Sequence, residues 1–179
     1  MPYLTMPSTA PVMYSAFLQL VSDAAALQNP YVYVAPFELA QYEPAVYVIL
    51  DGIENQRWEW AALGTFAQYE YYSLTGCVTA FQGDTPDALD PNNTVALSVM
   101  NQCYTTFSNC VMSPYMSNRY APVLNAVSPQ FPDGAVTGML PGSARYTAGP
   151  GTQDGADVGW MGRIDWQFDV SARLNPQPA

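Results

Sequence analysis

The last part of the chain alternates between two kinds of side chain. From Val158 to Leu174 every even position is apolar or glycine, and from Arg163 onwards the odd positions are polar. A period of two predicts one long strand with an aromatic inner face and a charged outer face. Drawn straight, the strand would span roughly 56 Å, against about 40 Å for a compact domain of this size. We therefore predict that it bends, for example at Gly162, or projects beyond its own core.

A second stretch, Tyr69 to Gln82, alternates in the same way, but both of its faces are rich in apolar or aromatic side chains. Two long strands of this kind indicate a sheet that is shared between copies or covered by other subunits. A helix of the same chain that covers the sheet is the alternative. The residues that we expect at a subunit interface are Tyr69, Tyr71, Phe81 and Met161.

Two helices are predicted from apolar residues at three-to-four spacing. The first runs from Pro11 to Leu27, with Ser8 or Thr9 as its cap. The second runs from Thr94 to Met112, and its apolar side chains are Leu97, Met100, Tyr104, Phe107 and Val111. The opposite side of the second helix is polar but uncharged, which would suit a contact between subunits.

The rest of the chain predicts shorter strands and connections. Expected strands are Tyr31–Val34, Ala45–Leu50, a short strand or extended arm around Trp58 and Trp60, Val123–Val127 and Ala135–Leu140. Asp51-Gly52 is a turn signal, and Pro114 to Tyr120 reads as irregular. We predict one domain over residues 1–179, with an arm at 1–9, a flexible loop at 141–157 and a frayed tail at 175–179. The expected fold is α+β, a mostly antiparallel sheet with two helices packed on one face.

The chain is acidic, with fifteen acids, five arginines and a formal net charge of −10. Scattered arginines do not form the basic patch that binds phosphates, so specific binding of DNA and binding to an anionic membrane are not expected. Asp84, Asp87 and Asp90 share one loop, but their spacing is not that of a calcium loop. We expect a polar loop there and no metal site.

The chain has no histidine and no lysine, which excludes histidine-activated nucleophiles, P-loop lysines and Schiff bases. The best carboxylate pairs are Glu59 with Glu70 and Asp165 with Asp169. The second pair would lie about 13 Å apart along a strand, wider than the ~5–9.5 Å of glycosidase carboxylates. We therefore expect no catalytic residue and no cofactor.

Three cysteines, Cys77, Cys103 and Cys110, do not form a disulfide framework. Cys103 and Cys110 would lie about 10.5 Å apart along a helix, beyond disulfide reach. We expect reduced thiols in a protein that folds in a reducing cytoplasm. The sequence has no apolar run of ~18 residues and no leader pattern, so no membrane segment is expected.

Four features together resemble the tail terminator proteins of long-tailed, non-contractile phages, especially the actinobacterial-phage type. They are the helix Pro11–Leu27 before an aromatic strand-rich stretch, the strand that ends in Phe81-Gln-Gly-Asp84, the helix that begins near Asn93 with a later Pro122-Val-Leu, and the closing strand that ends in Asp169-Val-Ser-Ala-Arg-Leu174. The resemblance extends over nearly the whole chain. The lack of lysine and the 141–157 segment depart from the family.

The resemblance implies a structural virion protein at the head–tail junction, assembled in the host cytoplasm. It implies a ring, usually of six copies, that caps the tail tube protein, joins head-completion (neck) proteins and lets DNA pass without specific binding. An acidic channel would repel phosphates, and Asp84, Asp87 and Asp90 are our candidates to face it. The alternatives are another neck or tail component, such as a head–tail completion protein or a tube subunit, and, less favoured, an enzyme or an unrelated binding module.

Overall fold

The computed structural model describes residues 8–26, 31–34, 45–60, 68–83, 94–118, 136–153 and 156–174. The strands are β1 (Tyr31–Val34), β2 (Ala45–Trp60), β3 (Gln68–Gln82), β4 (Val136–Gln153) and β5 (Ala156–Leu174). They form one sheet in the order β1-β2-β3-β5-β4. β1 is parallel to β2, and the other three pairings are antiparallel. The prediction of an α+β fold with a mostly antiparallel sheet is confirmed.

Helices pack on one face of this sheet, as predicted. They are α1 (Ala10–Ala26) and α2 (Thr94–Thr106), which continues through a π-helical segment (Phe107–Met112) into α3 (Ser113–Asn118). The even-numbered residues of β3 and β5 point toward the helices, and we call this side the helix face. The odd-numbered residues form the distal face. Alternation along the two strands therefore sets which side chains enter the main core.

Phe168 of β5 lies at the centre of the core. It is fully buried, and its ring centroid lies 5.4 Å from that of Phe17, 5.7 Å from Trp166 and 4.8 Å from Tyr115. These contacts join α1, α3 and the sheet. Aromatic pairs at such distances contribute stability beyond the apolar area that they bury.

The long closing strand is accommodated inside the chain. β5 pairs with β3 from Trp160 to Leu174 without a register shift, so the predicted projection beyond the core is wrong, and the bend at Gly162 stays a prediction. A Cβ at Gly162 would lie 2.8 Å from Val99 Cγ1. Glycine at this position thus lets α2 approach the strand closely. Since β3 pairs with β5 from Trp160 to Leu174, the length of β5 does not indicate a contact with another subunit.

The predicted flexible loop at 141–157 is also wrong, because most of it is strand. β4 runs to Gln153 and β5 begins at Ala156. β4 is an edge strand, where proline is tolerated because one side of the strand needs no donor. The register shifts between Pro141 and Ala144, so the residues between them are left out of the regular pairing with β5. The Gly- and Pro-rich composition therefore marks an edge strand.

The turn predicted at Asp51-Gly52 is wrong too, since β2 continues through it. A register shift between Leu50 and Gly52 marks a β-bulge that carries the strand onward. A second shift follows between Glu54 and Arg57, where Asn55 has a left-handed φ of 54°. The short strand or extended arm that we predicted around Trp58 and Trp60 is the end of this same strand.

The second helix differs from the prediction in two ways. Its helical run extends to Asn118, and Pro114 follows directly on the wider π-helical turns. Its buried side chains are also different: Val99, Cys103 and Cys110 are buried with Val111, whereas Leu97 and Tyr104 are exposed. Because the helix lies close to Gly162 and Ala80, small side chains occupy the contact.

Several predicted features lie outside the described residues. They are the arm up to Pro7, the strand Val123–Val127, the loop acids Asp84, Asp87 and Asp90, and the tail 175–179.

Candidate interaction surfaces

The outer side of α2 carries an uncharged surface. No residue from 94 to 118 is charged, although the whole chain has twenty charged residues. Leu97 is 47 % exposed and Tyr104 is 51 % exposed. Exposed apolar side chains among uncharged polar ones are typical of contact surfaces.

A groove of about 580 Å³ runs along this helix beside the start of β2. We call it the α2 groove, and its lining is Val46, Thr94, Leu97, Ser98, Asn101, Gln102, Thr105 and Thr106. The polar side predicted for this helix comprises Asn101, Gln102, Thr105, Thr106 and Asn109. The first three are exposed, and Thr106 and Asn109 are half-buried. The groove combines apolar walls with amide and hydroxyl groups, which fits a polypeptide better than an ion.

The distal face carries the charges. All four arginines in the described ranges occupy its positions in the strand register: Arg57, Arg145, Arg163 and Arg173. Arg163 Nε donates to Asp165 Oδ1 at 2.6 Å, and both side chains are partly exposed. Such pairs stabilise a fold only slightly in water, so these charges set surface potential rather than stability.

A polar cavity of about 640 Å³ lies on the distal face near the second bulge of β2. Within it Ser73 Oγ donates to Asp169 Oδ1 at 2.8 Å, and Gln167 Nε2 donates to the same oxygen at 2.7 Å. Arg57 lies at the rim, 5.0 Å above the Tyr71 ring. Ser73 therefore has a carboxylate as its hydrogen-bond partner on this face of the sheet.

The four predicted interface residues all lie on the distal face, at two opposite ends of the sheet. Tyr69 and Tyr71 neighbour each other, with ring centroids 6.3 Å apart. Phe81 is paired with Met161 at the other end of β3. Phe81 is already buried within the chain, while the other three are partly exposed. The structure therefore does not bring them together as one patch.

Glu70 is the most buried charged group that the structure describes, and sequence reasoning missed its role. Its Oε2 accepts hydrogen bonds from Thr9 N at 2.8 Å and Thr9 Oγ1 at 2.7 Å. Its Oε1 accepts from Ser8 Oγ and from Gln56 Nε2 at 2.8 Å. Thr9 O accepts the first helical bond, from Met13 N, so the carboxylate sits at the N-terminus of α1.

A signal for this role was present in the sequence. Glu70 occupies an even position of β3, on the face that is otherwise apolar, and a carboxylate there requires buried donors. Burial also raises the pKa of Tyr72 above its ordinary value. The hydrogen bonds of Glu70 to Ser8, Thr9 and Gln56 hold the start of α1 against β2 and β3, so Glu70 has a structural role.

The proposed carboxylate pairs are not assembled. Glu59 lies opposite Tyr69 on the distal face, whereas Glu70 is buried on the helix face. Asp165 is bonded to Arg163 and Asp169 to Ser73, in separate groups. In the described ranges no three His, Cys, Asp or Glu side chains are grouped to hold a metal ion.

The three cysteines are free and buried. Burial raises the pKa of Cys77 to about 12 and that of Cys103 to about 11. Thiols with such values are protonated at neutral pH and are poor nucleophiles. The expectation of free thiols is confirmed.

No helix in the described part of the chain is long and apolar enough to cross a membrane. No protein-family model matches the chain, and no curated protein sequence matches it significantly.

Proposed function

We propose that this chain is a structural virion protein, a tail terminator whose copies form a ring at the head–tail junction of a long-tailed phage. The ring, usually of six copies in that family, would cap the tail tube and join it to the neck proteins. The proposal rests on the sequence resemblance and on the character of the α2 surface.

The observation that carries the proposal is the uncharged outer side of α2. A chain of net charge −10 repels its own copies, so a surface that adds no like charge favours a contact between them. The α2 groove meets this need, because its apolar and amide groups add no repulsion when buried. Leu97 and Tyr104 would supply apolar area at that contact.

The acidity supports the same assignment. A ring that DNA crosses should not hold phosphates, and negative charge around the channel keeps the duplex hydrated and mobile. Asp84, Asp87 and Asp90 remain the candidates to face this channel.

The direct test is imaging of purified particles. Density for this chain as a six-fold ring at the top of the tail is expected. Absence of the protein from purified particles would contradict the proposal. A copy number far above one ring would favour the alternative of a tube subunit.

A variant test addresses the α2 surface. Leu97→Glu should leave the fold intact, because the side chain is half exposed, and should prevent incorporation into tails by placing a charge in the contact. Ser15→Glu, at an exposed position of α1, is the matched control and should assemble normally. Equal assembly of both variants would remove the α2 groove from the proposed contact.

A further inference from the structure

Among the described strands, none pairs with the outer edge of β2 along its last residues. β1 pairs with residues 47–50 of β2, and no described strand lies beyond the rest of this edge. Trp58 and Trp60 are 50 % and 66 % exposed, and the side chains of Arg57 and Glu59 are 68 % and 55 % exposed. An open strand edge with exposed aromatic side chains is a site at which another strand can add.

The last residues of β2 are regular enough to accept a strand. After the second bulge, Arg57 to Trp60 pair residue by residue with β3. In that register Arg57 and Glu59 project on the distal face, and Trp58 projects on the helix face. Arg57 and Glu59 therefore precede and follow Trp58 along the strand, and their side chains lie on the other face of the sheet from the indole.

This segment is complementary to itself. If two copies meet antiparallel with Trp58 opposite Trp58, each Arg57 lies opposite Glu59 of the other copy. Side chains directly opposite one another have Cβ atoms about 4.5–5.5 Å apart, and opposite charges there are attractive. Within one chain Arg57 Nε lies 3.8 Å from Glu59 Oε1, and the guanidinium lies 5.0 Å above the Tyr71 ring. Both contacts are weak at exposed side chains, so they compete little with the contact between copies.

We propose that two copies of this chain pair edge to edge through Arg57–Trp60, antiparallel and centred on Trp58. Charges on edge strands usually prevent pairing, because like charges meet. Here the order Arg-Trp-Glu places opposite charges together on both sides of the two-fold axis. The edge charges of the two copies therefore attract each other.

The pair is separate from the proposed ring. A two-fold contact uses the same patch on both copies and closes on itself, whereas a ring needs two different patches. The pair is thus a form of the free chain before assembly. Its test is made in solution, so its failure would leave the imaging test of the ring unaffected.

Charge reversal tests the pairing across copies. In low salt, sedimentation equilibrium of the full chain should show a monomer–dimer equilibrium. Arg57→Glu and Glu59→Arg should each weaken it at least tenfold, because like charges then meet. An equimolar mixture of the two variants should dimerise again, since two glutamates in one copy face two arginines in the other. A monomer at every concentration, or a mixture no better than its components, would overturn the proposal.

A cross-link tests the register. Trp58→Cys should form a disulfide-linked dimer under mild oxidation, because the residue faces its own copy. Trp60→Cys is the matched control. It should not form a disulfide-linked dimer, because residue 60 faces position 56 of the other copy. The native cysteines are buried and leave the background low. Equal cross-linking at both positions, or efficient cross-linking at the control alone, would refute the proposed register.

Discussion

Glu70 on the helix face and Asp169 on the distal face are both carboxylates held by hydroxyl and amide donors, but they differ in burial. Glu70 is fully buried, and its two oxygens together accept four hydrogen bonds from three residues. Asp169 is exposed and accepts from Ser73 and Gln167 through one oxygen. Water can replace the donors of Asp169, whereas it cannot reach the Glu70 carboxylate or Thr9, which are fully buried.

The contrast extends to the two faces as a whole. On the helix face the Glu70 carboxylate receives donors from the residues before α1 and from β2, so it becomes part of the fold. On the distal face charged groups remain partly hydrated and contribute little to stability. Similar substitutions on the helix face and on the distal face should therefore change the free energy of unfolding by very different amounts.

The largest effect is expected from the core. Phe168→Ala should lower the free energy of unfolding by about 3–5 kcal/mol, because it leaves a cavity beneath α1 and α3. Its chain neighbour Gln167 points to the distal face, and Gln167→Ala should cost less than about 1 kcal/mol. Urea denaturation of both variants measures the difference, and similar losses would mean that the two faces are not distinct.

A smaller loss is expected from the buried carboxylate. Glu70→Ala should cost about 3 kcal/mol, because Thr9 N and the other donors lose their acceptor and the helix N-terminus loses its anion. Asp169→Ala is the control and should cost about 1 kcal/mol or less. Amide hydrogen exchange should rise first at the N-terminus of α1 in Glu70→Ala. Unchanged protection there would show that Glu70 does not anchor the helix.

The smallest effect concerns alkaline pH. The folded chain raises the pKa of Cys77 to about 12 and that of Cys103 to about 11, mainly through burial. Unfolded thiols lose protons near their ordinary pKa of about 8.5, so above that pH the unfolded state binds fewer protons and stability falls as pH rises.

We expect the free energy of unfolding to be level between pH 7 and 8 and to fall by roughly 1–3 kcal/mol between pH 8 and 10. Cys77→Ala should reduce this slope, whatever it does to stability at pH 7. Denaturation with a reductant present, at a series of pH values, gives both slopes. Identical slopes would show that Cys77 is not titrating between the two states.

The alternation in Tyr69–Gln82 and Val158–Leu174 was sufficient to predict β3 and β5, because a two-sided strand needs nothing beyond its own pattern. The α1 helix followed from its spacing in the same way. β4 was missed since proline and glycine read as a loop unless the strand is known to lie at an edge, which is a property of the whole sheet. The buried side of α2 was predicted wrongly for a similar reason. Close contact with Gly162 selects small side chains that a simple apolar count ranks below Leu97 and Tyr104.

The surfaces were predictable only in part. The uncharged side of α2 is visible in the sequence, and so are the neighbouring charges Arg57 and Glu59. That these two charges lie on an open edge depends on the register of β2, which two bulges alter. The donors of Glu70 come from residues up to 62 positions away, so local pattern does not identify them.

The two borders of the sheet also differ in what they allow at high concentration. Pro141 and Pro150 remove two backbone donors from β4, so a hydrogen-bonded ladder along that border would be interrupted. Among the described strands, the end of β2 pairs regularly with β3 and has no neighbour on its other side, and a two-fold contact there closes on itself. Pairing of strand edges should therefore end at dimers when the chain accumulates in a cell, without the fibrils that a sheet with two open borders would seed.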